Sequence, residues 1–359
     1  MSTELSAATD GRDIDLSLGE LSGEAGRQKA APVERTIASI SGVWERLPEP
    51  APQDPTYYER PVLKAPVWKF YYIPAYYYVG GTAGAALALG AAAQLDGSEE
   101  LNALVRRCHW IGIAGSSVGA ILLIADLGRP SRFLAMLRVF RPTSAMNMGA
   151  WILAVAPSAA ITAGLFARSS FGLLRSVGEA AGYSAGVFGM ALATYTGVLV
   201  SESAIPFWQH SRRVLPVLFG ASAAASAGSI FDLLFDDPRA CRITRTYGII
   251  GRVAELGAAR MLEREVRAVP GVAKPIENGV TAVMWRGAEV LAAASLAALL
   301  LPGQSRRTRI LAGVLGSAGS LLMRFAVHQC GVRSARDPRA TFQPQRAAMA
   351  ARSGQPDNR

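Results

Sequence analysis

The residues of this chain that could do chemistry are few, and they sit in apolar surroundings. Asp126 lies in Asp126-Leu127-Gly128-Arg129-Pro130, three residues before Arg129, so the two can pair across the last turn of a helix. Gly128 releases such a helix and Pro130 stops it from continuing. The pattern is either an ion-paired helix stop or a proton-transfer carboxylate whose proton affinity Arg129 tunes. Tyr195, in Ala193-Thr194-Tyr195-Thr196-Gly197-Val198-Leu199, falls deep in an apolar run. A buried tyrosine hydroxyl needs a partner; a quinone carbonyl fits, and so does a neighbouring backbone carbonyl. Glu202 follows before Pro206, and Asp232 ends a later apolar run. Each reads as a solvated helix end or as a proton relay.

Histidine and cysteine chemistry is narrower. His109 and His328 lie in apolar runs and His210 in a loop, so one His–His pair could hold at most one haem. A hydrogen-bonded histidine is the other reading of each. Cys108, Cys241 and Cys330 are scattered, with no CxxC, and three thiolates cannot hold an iron–sulfur cluster or a zinc ribbon. No metal site is expected. Arg324 lies inside an apolar run and must face protein, with Glu255 and Glu289 as candidate partners. Walker, GxSxG and HExxH elements do not occur, which leaves hydrolytic and nucleotide chemistry without support.

The elements that must position these residues follow from composition. Of 359 residues, 50% are hydrophobic and 18% charged, against roughly 25% charged in soluble domains. Phe70–Leu95, Met148–Ala167, Gly182–Val200 and Val214–Phe231 carry no charge at all. About 20 mostly apolar residues cross a hydrocarbon core of roughly 30 Å. The chain is therefore expected to be an all-α membrane protein of about eight transmembrane helices in a bundle. The spans are expected at Phe70–Leu95, Ala103–Leu127, Asn147–Ala167, Gly178–Val200, Val214–Leu234, Tyr247–Val266, Thr281–Leu301 and Ile310–Gly331. The sixth is interrupted by Arg252, Glu255, Arg260 and Glu263, so it either spans against protein neighbours or lies in the interface. The aromatic cluster Phe70, Tyr71, Tyr72, Tyr76, Tyr77 and Tyr78 suits the membrane–water belt.

Three segments follow: a polar tail over 1–65, a transmembrane domain over 66–335 and a polar C-terminal tail over 336–359. The first tail is rich in Ser, Glu, Gly and Pro and lacks the pattern of a signal peptide. It is expected to be largely disordered, with one short helix around Val33–Leu47. The net charge of +10 is placed beside the apolar runs, as at lipid headgroups, and not as a nucleic-acid footprint. Its bias between loops is expected to place both termini in the cytoplasm. Gly80 and Gly84, Gly115 and Gly119, and Gly182 and Gly186 each lie four apart, a spacing that lets helix backbones approach closely.

Four stretches resemble the NrfD/PsrC-like family of polysulfide reductase membrane subunits. They are Ile73-Pro74-Ala75-Tyr76 through Gly80-Gly81-Thr82-Ala83-Gly84, Asp126-Leu127-Gly128-Arg129-Pro130-Ser131-Arg132-Phe133, Ser144-Ala145-Met146-Asn147-Met148-Gly149-Ala150-Trp151, and Tyr195-Thr196-Gly197-Val198-Leu199. The resemblance extends over about residues 65–345. It implies an eight-helix subunit without a haem or cluster of its own. Such a subunit exchanges electrons between membrane quinone, menaquinone or ubiquinone, and a four-cluster iron–sulfur protein bound to a molybdopterin oxidoreductase. It also implies a quinone near Tyr195 and proton-transfer carboxylates at Asp126 and Glu202. Some members carry a histidine at the start of the first span, where this chain has Phe70, Tyr71 and Tyr72. Tyr71 or Tyr72 is then the expected second quinone contact, with His109 and Arg129 as further candidates. A transporter and a purely structural anchor are the alternatives.

Overall fold

The computed structural model describes residues 63–353, apart from 65, 67, 129, 235, 236, 270, 303 and 304, together with 14–15 and 20–21. The chain divides into two compact units, Met1–Thr56 and Tyr57–Arg359. In the first, β1 (Ile14–Asp15) pairs antiparallel with β2 (Glu20–Leu21). The remainder of the expected N-terminal tail, including Val33–Leu47, lies outside the described residues.

The second unit is helical. Its long helices are α1 (Tyr72–Asp96), α2 (Asn102–Leu127), α4 (Ala145–Phe166), α5 (Gly172–Ser201), α7 (Leu215–Leu234), α8 (Pro238–Arg267), α10 (Gly279–Leu300) and α11 (Arg306–Arg336). Short helices join or follow them: α3 (Pro130–Arg138), α6 (Pro206–His210), α9 (Lys274–Glu277) and α12 (Pro338–Ser353). Six of the long helices are apolar enough to cross a membrane, namely α2 with its preceding turn, α4, α5, α7, α10 and α11. The other two long helices are α1, diluted by its tyrosines, and α8, interrupted by charge.

Local chemistry sets the boundaries. Gly97 and Gly128 end α1 and α2 in the left-handed conformation, both at φ 71°. Ser144, Asp237 and Ser305 cap α4, α8 and α11 by accepting from the backbone N–H groups of Asn147, Ala240 and Thr308. Pro238 stands at the first position of α8, where its missing N–H costs nothing. This helix begins nine residues before the expected Tyr247, because its first turns are amphipathic and cationic, not apolar. Pro157 sits within α4 without ending it.

Successive long helices run antiparallel, as the pairings Gly90–Cys108 with Gly119–Tyr76 and Gly178–Ala167 with Gly149–Tyr195 require, and α1 packs against α2, α5, α7 and α11. At the α1–α5 crossing a Cβ on Gly84 would come 2.4 Å from the Gly189 carbonyl oxygen, so only glycine permits this approach. Gly115 and Gly119 of α2 likewise face Ala83 and Tyr76, while Gly182 and Gly186 of α5 face Gln94 and Ala91. The glycine pairs thus serve packing within the chain. The alternation places the start of α1, α4, α7 and α10 and the finish of α2, α5, α8 and α11 at one end of the bundle, here the Tyr72 end.

Candidate functional site

The expected site residues converge in part at the Tyr72 end. Asp126, on the last turn of α2, accepts at Oδ1 from the backbone N–H of Lys69, 2.9 Å away. Lys69 Nζ donates to the Ala125 carbonyl at 3.4 Å and lies 5.2 Å above the Tyr72 ring. The segment leading into α1 therefore folds over Asp126. Arg129, the expected partner, lies outside the described residues. Tyr71 and Tyr72 are half-buried, with ring centroids 5.9 Å apart in an edge contact.

Tyr195 is 7% exposed on α5. Its ring lies on the backbone of Gly149 of α4, where a Cβ would come within 1.7 Å of Tyr195 Cζ. Any side chain at 149 would displace the tyrosine. Tyr76 and Tyr77 are each 1% exposed and share one core cluster with Tyr195. This corrects the belt assignment: two of the six aromatic residues leave the interface and enter the core, because α1 is enclosed by its neighbours.

Behind Tyr77 lies a set of groups that sequence reasoning did not join. The Tyr77 ring is 5.6 Å from Phe219 and 6.3 Å from His328. His328 in turn sits 6.1 Å from Trp68 and 6.0 Å from Trp208, which stack on each other at 5.8 Å. Trp208 Nε1 donates to the Val327 carbonyl at 2.9 Å, which fixes the cage wall. One turn before His328, the Arg324 guanidinium lies 3.9 Å over the Phe219 ring, and Nη2 donates to the Phe219 carbonyl at 2.7 Å. Neither Glu255 nor Glu289 pairs with it: Glu255 pairs with Arg252 and Glu289 with Arg260. Among the described residues, Tyr77 Oη, His328 Nδ1 and Arg324 Nε and Nη1 are buried without a hydrogen-bond partner. Buried polar groups are nearly always paired, so four unpaired atoms on three neighbouring side chains ask for a polar guest or water.

The other candidates lie apart. Glu202 caps α5 and is exposed. Asp232 is 6% exposed at the far end of α7, with Oδ2 unpartnered among the described residues. His109 is 7% exposed, packs near Gly90 of α1, and its Nε2 has no partner among the described residues. Seventeen residues separate it from Asp126 on α2, roughly 25 Å along a helix. The structure does not bring His109 to the Tyr195 cluster. It also sets His109 and His328 about 20 Å apart along α1, too far to share one iron. No group of three metal-ligating side chains forms among the described residues.

The polysulphide reductase NrfD family profile matches residues 62–246, more than half of the chain. The chain belongs to the NrfD family. Among proteins of curated function, none matches it. The matched segment carries α1 to the first turns of α8, and with them Tyr77, Asp126, Gly149 and Tyr195. Arg324 and His328 come from α11, beyond the match. Membership points to a multi-pass membrane subunit of a redox complex.

Proposed function

We propose that this NrfD chain is the quinone-reacting membrane subunit of a multi-subunit oxidoreductase. It anchors an iron–sulfur electron-transfer subunit and a molybdopterin catalytic subunit and passes electrons between them and the quinone pool. The observation that carries the reading is the group of unpartnered buried polar atoms on Tyr77, His328 and Arg324, beside Tyr195 and with the half-buried carboxylate of Asp126 at the same end of the bundle.

These residues suit a flat, apolar ring with two carbonyl oxygens. The aromatic walls, Trp68, Trp208 and Phe219, accept the ring face. Tyr195 and Tyr77 hydroxyls donate to a carbonyl oxygen, and the Arg324 guanidinium stabilises negative charge that develops there. Asp126 exchanges protons with water at the Tyr72 end of the bundle, where Glu202, exposed at the same end, is an accessory acceptor that water can replace. Two protons move with each pair of electrons, because unpaired charge is costly at this depth. The three scattered cysteines cannot form a four-thiolate cluster, so the electron acceptor belongs to the partner.

Purification from native membranes in mild detergent, with metal analysis and mass spectrometry, tests the reading. Iron and molybdenum or tungsten together with two further subunits are expected. A metal-free chain purified alone, with no quinone extracted from it, would overturn it in favour of transport.

A further inference from the structure

A second polar region lies outside this site and beyond the segment matched to the family. Between α8 and α10 a depression of about 550 Å³ is lined by Arg260, Glu263, Arg267, Trp285, Arg286 and Glu289. Its inner wall is ordered. Trp285, 1% exposed, donates from Nε1 to Glu263 Oε1 at 2.8 Å. Arg260 Nη1 lies between Glu263 Oε2 at 3.4 Å and Glu289 Oε1 at 3.5 Å, and Arg267 Nη2 is 3.9 Å from Glu263.

The outer rim is cationic. The Arg260 and Arg267 side chains are 62% and 54% exposed, and Arg286 is exposed without a carboxylate at ion-pair distance among the described residues. Three guanidiniums against two carboxylates leave the depression with excess positive charge. The surrounding face is apolar: Val283, Val290, Met261 and Val253 are 71%, 66%, 57% and 55% exposed. Such a face is meant for acyl chains.

Depth decides what fills the pocket. Arg267 ends α8, Arg260 lies two turns earlier, and Arg286 two turns into α10, so all three fall within about 10 Å of the Tyr72 end. Arginine side chains snorkel over that distance to headgroup level. An anion supplied there also explains how α8, too charged to qualify as an apolar span, can face lipid.

We propose that the α8–α10 groove binds an anionic phospholipid. Its phosphate is held by Arg260 and Arg286, and one acyl chain lies along Val290 and Ala293.

The test uses the full-length protein, delipidated in mild detergent and titrated by native mass spectrometry. Dioleoylphosphatidylglycerol is compared with dioleoylphosphatidylcholine, with inorganic phosphate as competitor. The glycerol lipid should bind saturably and more tightly than the choline lipid. Arg260→Gln with Arg286→Gln should weaken it roughly 10- to 30-fold. Arg106→Gln with Arg242→Gln, at the opposite end, should leave it unchanged. Equal binding of the two lipids, or no loss in the double variant, would overturn the proposal. Displacement by inorganic phosphate would reassign the groove to free anions and overturn it too. If the double glutamine variant fails to fold, the Arg260→Lys, Arg286→Lys protein and the lipid comparison on the unaltered chain decide.

Discussion

Arg252 and Arg324 are both fully buried in the same bundle, at 0% and 1% exposure, yet their surroundings differ. Arg252 donates from Nη1 to Glu255 at 2.5 Å and to Ser320 at 2.7 Å, and from Nη2 to Ser229 at 3.0 Å. Ser320 donates in turn to Glu255, so the charge is paired and both Nη atoms of Arg252 are satisfied among α7, α8 and α11, with Nε alone of its nitrogens unpartnered among the described residues. Arg324 makes one hydrogen bond, to the Phe219 carbonyl, and leaves Nε and Nη1 unpartnered among the described residues. A closed network holds helices together. An open one spends stability on groups kept ready for something that comes and goes.

That contrast can be broken most forcefully at Arg252. Arg252→Gln strands the Glu255 carboxylate in the core and should cost about 3–5 kcal/mol of stability. Thermal unfolding in detergent checks it, and a near-native midpoint would show that the network is not structural. Arg324→Gln should do the reverse. It keeps the midpoint close to wild type and lowers quinone turnover in the assembled complex about 10²–10³-fold, as for removal of a donor to developing charge. Comparable losses of stability in both variants would erase the distinction.

Finer substitutions sharpen it. Gly149→Ala places a methyl group within 1.7 Å of Tyr195 Cζ and should cost about 1–3 kcal/mol while moving the tyrosine. Its signature is a turnover defect matching that of Tyr195→Phe. Tyr77→Phe removes one unpartnered hydroxyl and should slow turnover about tenfold with no stability loss, since no native hydrogen bond is broken. Glu202→Gln, at an exposed helix end, should change the rate by less than about twofold at neutral pH. A larger effect there would mark Glu202 as an obligatory proton relay.

How much of this was legible in the sequence depends on the range of the interaction. The expected spans overlap the eight long helices because apolar length is a local property of the sequence. The beginning of α8 was not legible, since its cationic first turns read as loop. The count of apolar spans fell to six, because tyrosines lower the hydropathy of α1 and charges that of α8. Asp126 and Tyr195 stood out as polar groups in apolar runs. Their neighbours did not: Tyr77 and His328 meet across α1 and α11, and nothing in either helix names the other. The partners of Arg324 were misjudged for the same reason. Glu255 and Glu289 lie in neighbouring spans, but each faces a different arginine.

The most direct test of the central claim is equilibrium binding of menadione, a soluble quinone, to the full-length protein in lipid nanodiscs, read by quenching of tryptophan fluorescence. Trp68 and Trp208 wall the proposed site, so saturable quenching is expected with one molecule bound per chain. Arg324→Gln and Tyr195→Phe should each weaken it, while Glu202→Gln should not. Quenching that is non-saturable, or identical in all four proteins, would contradict a quinone site at Tyr195, Tyr77 and Arg324.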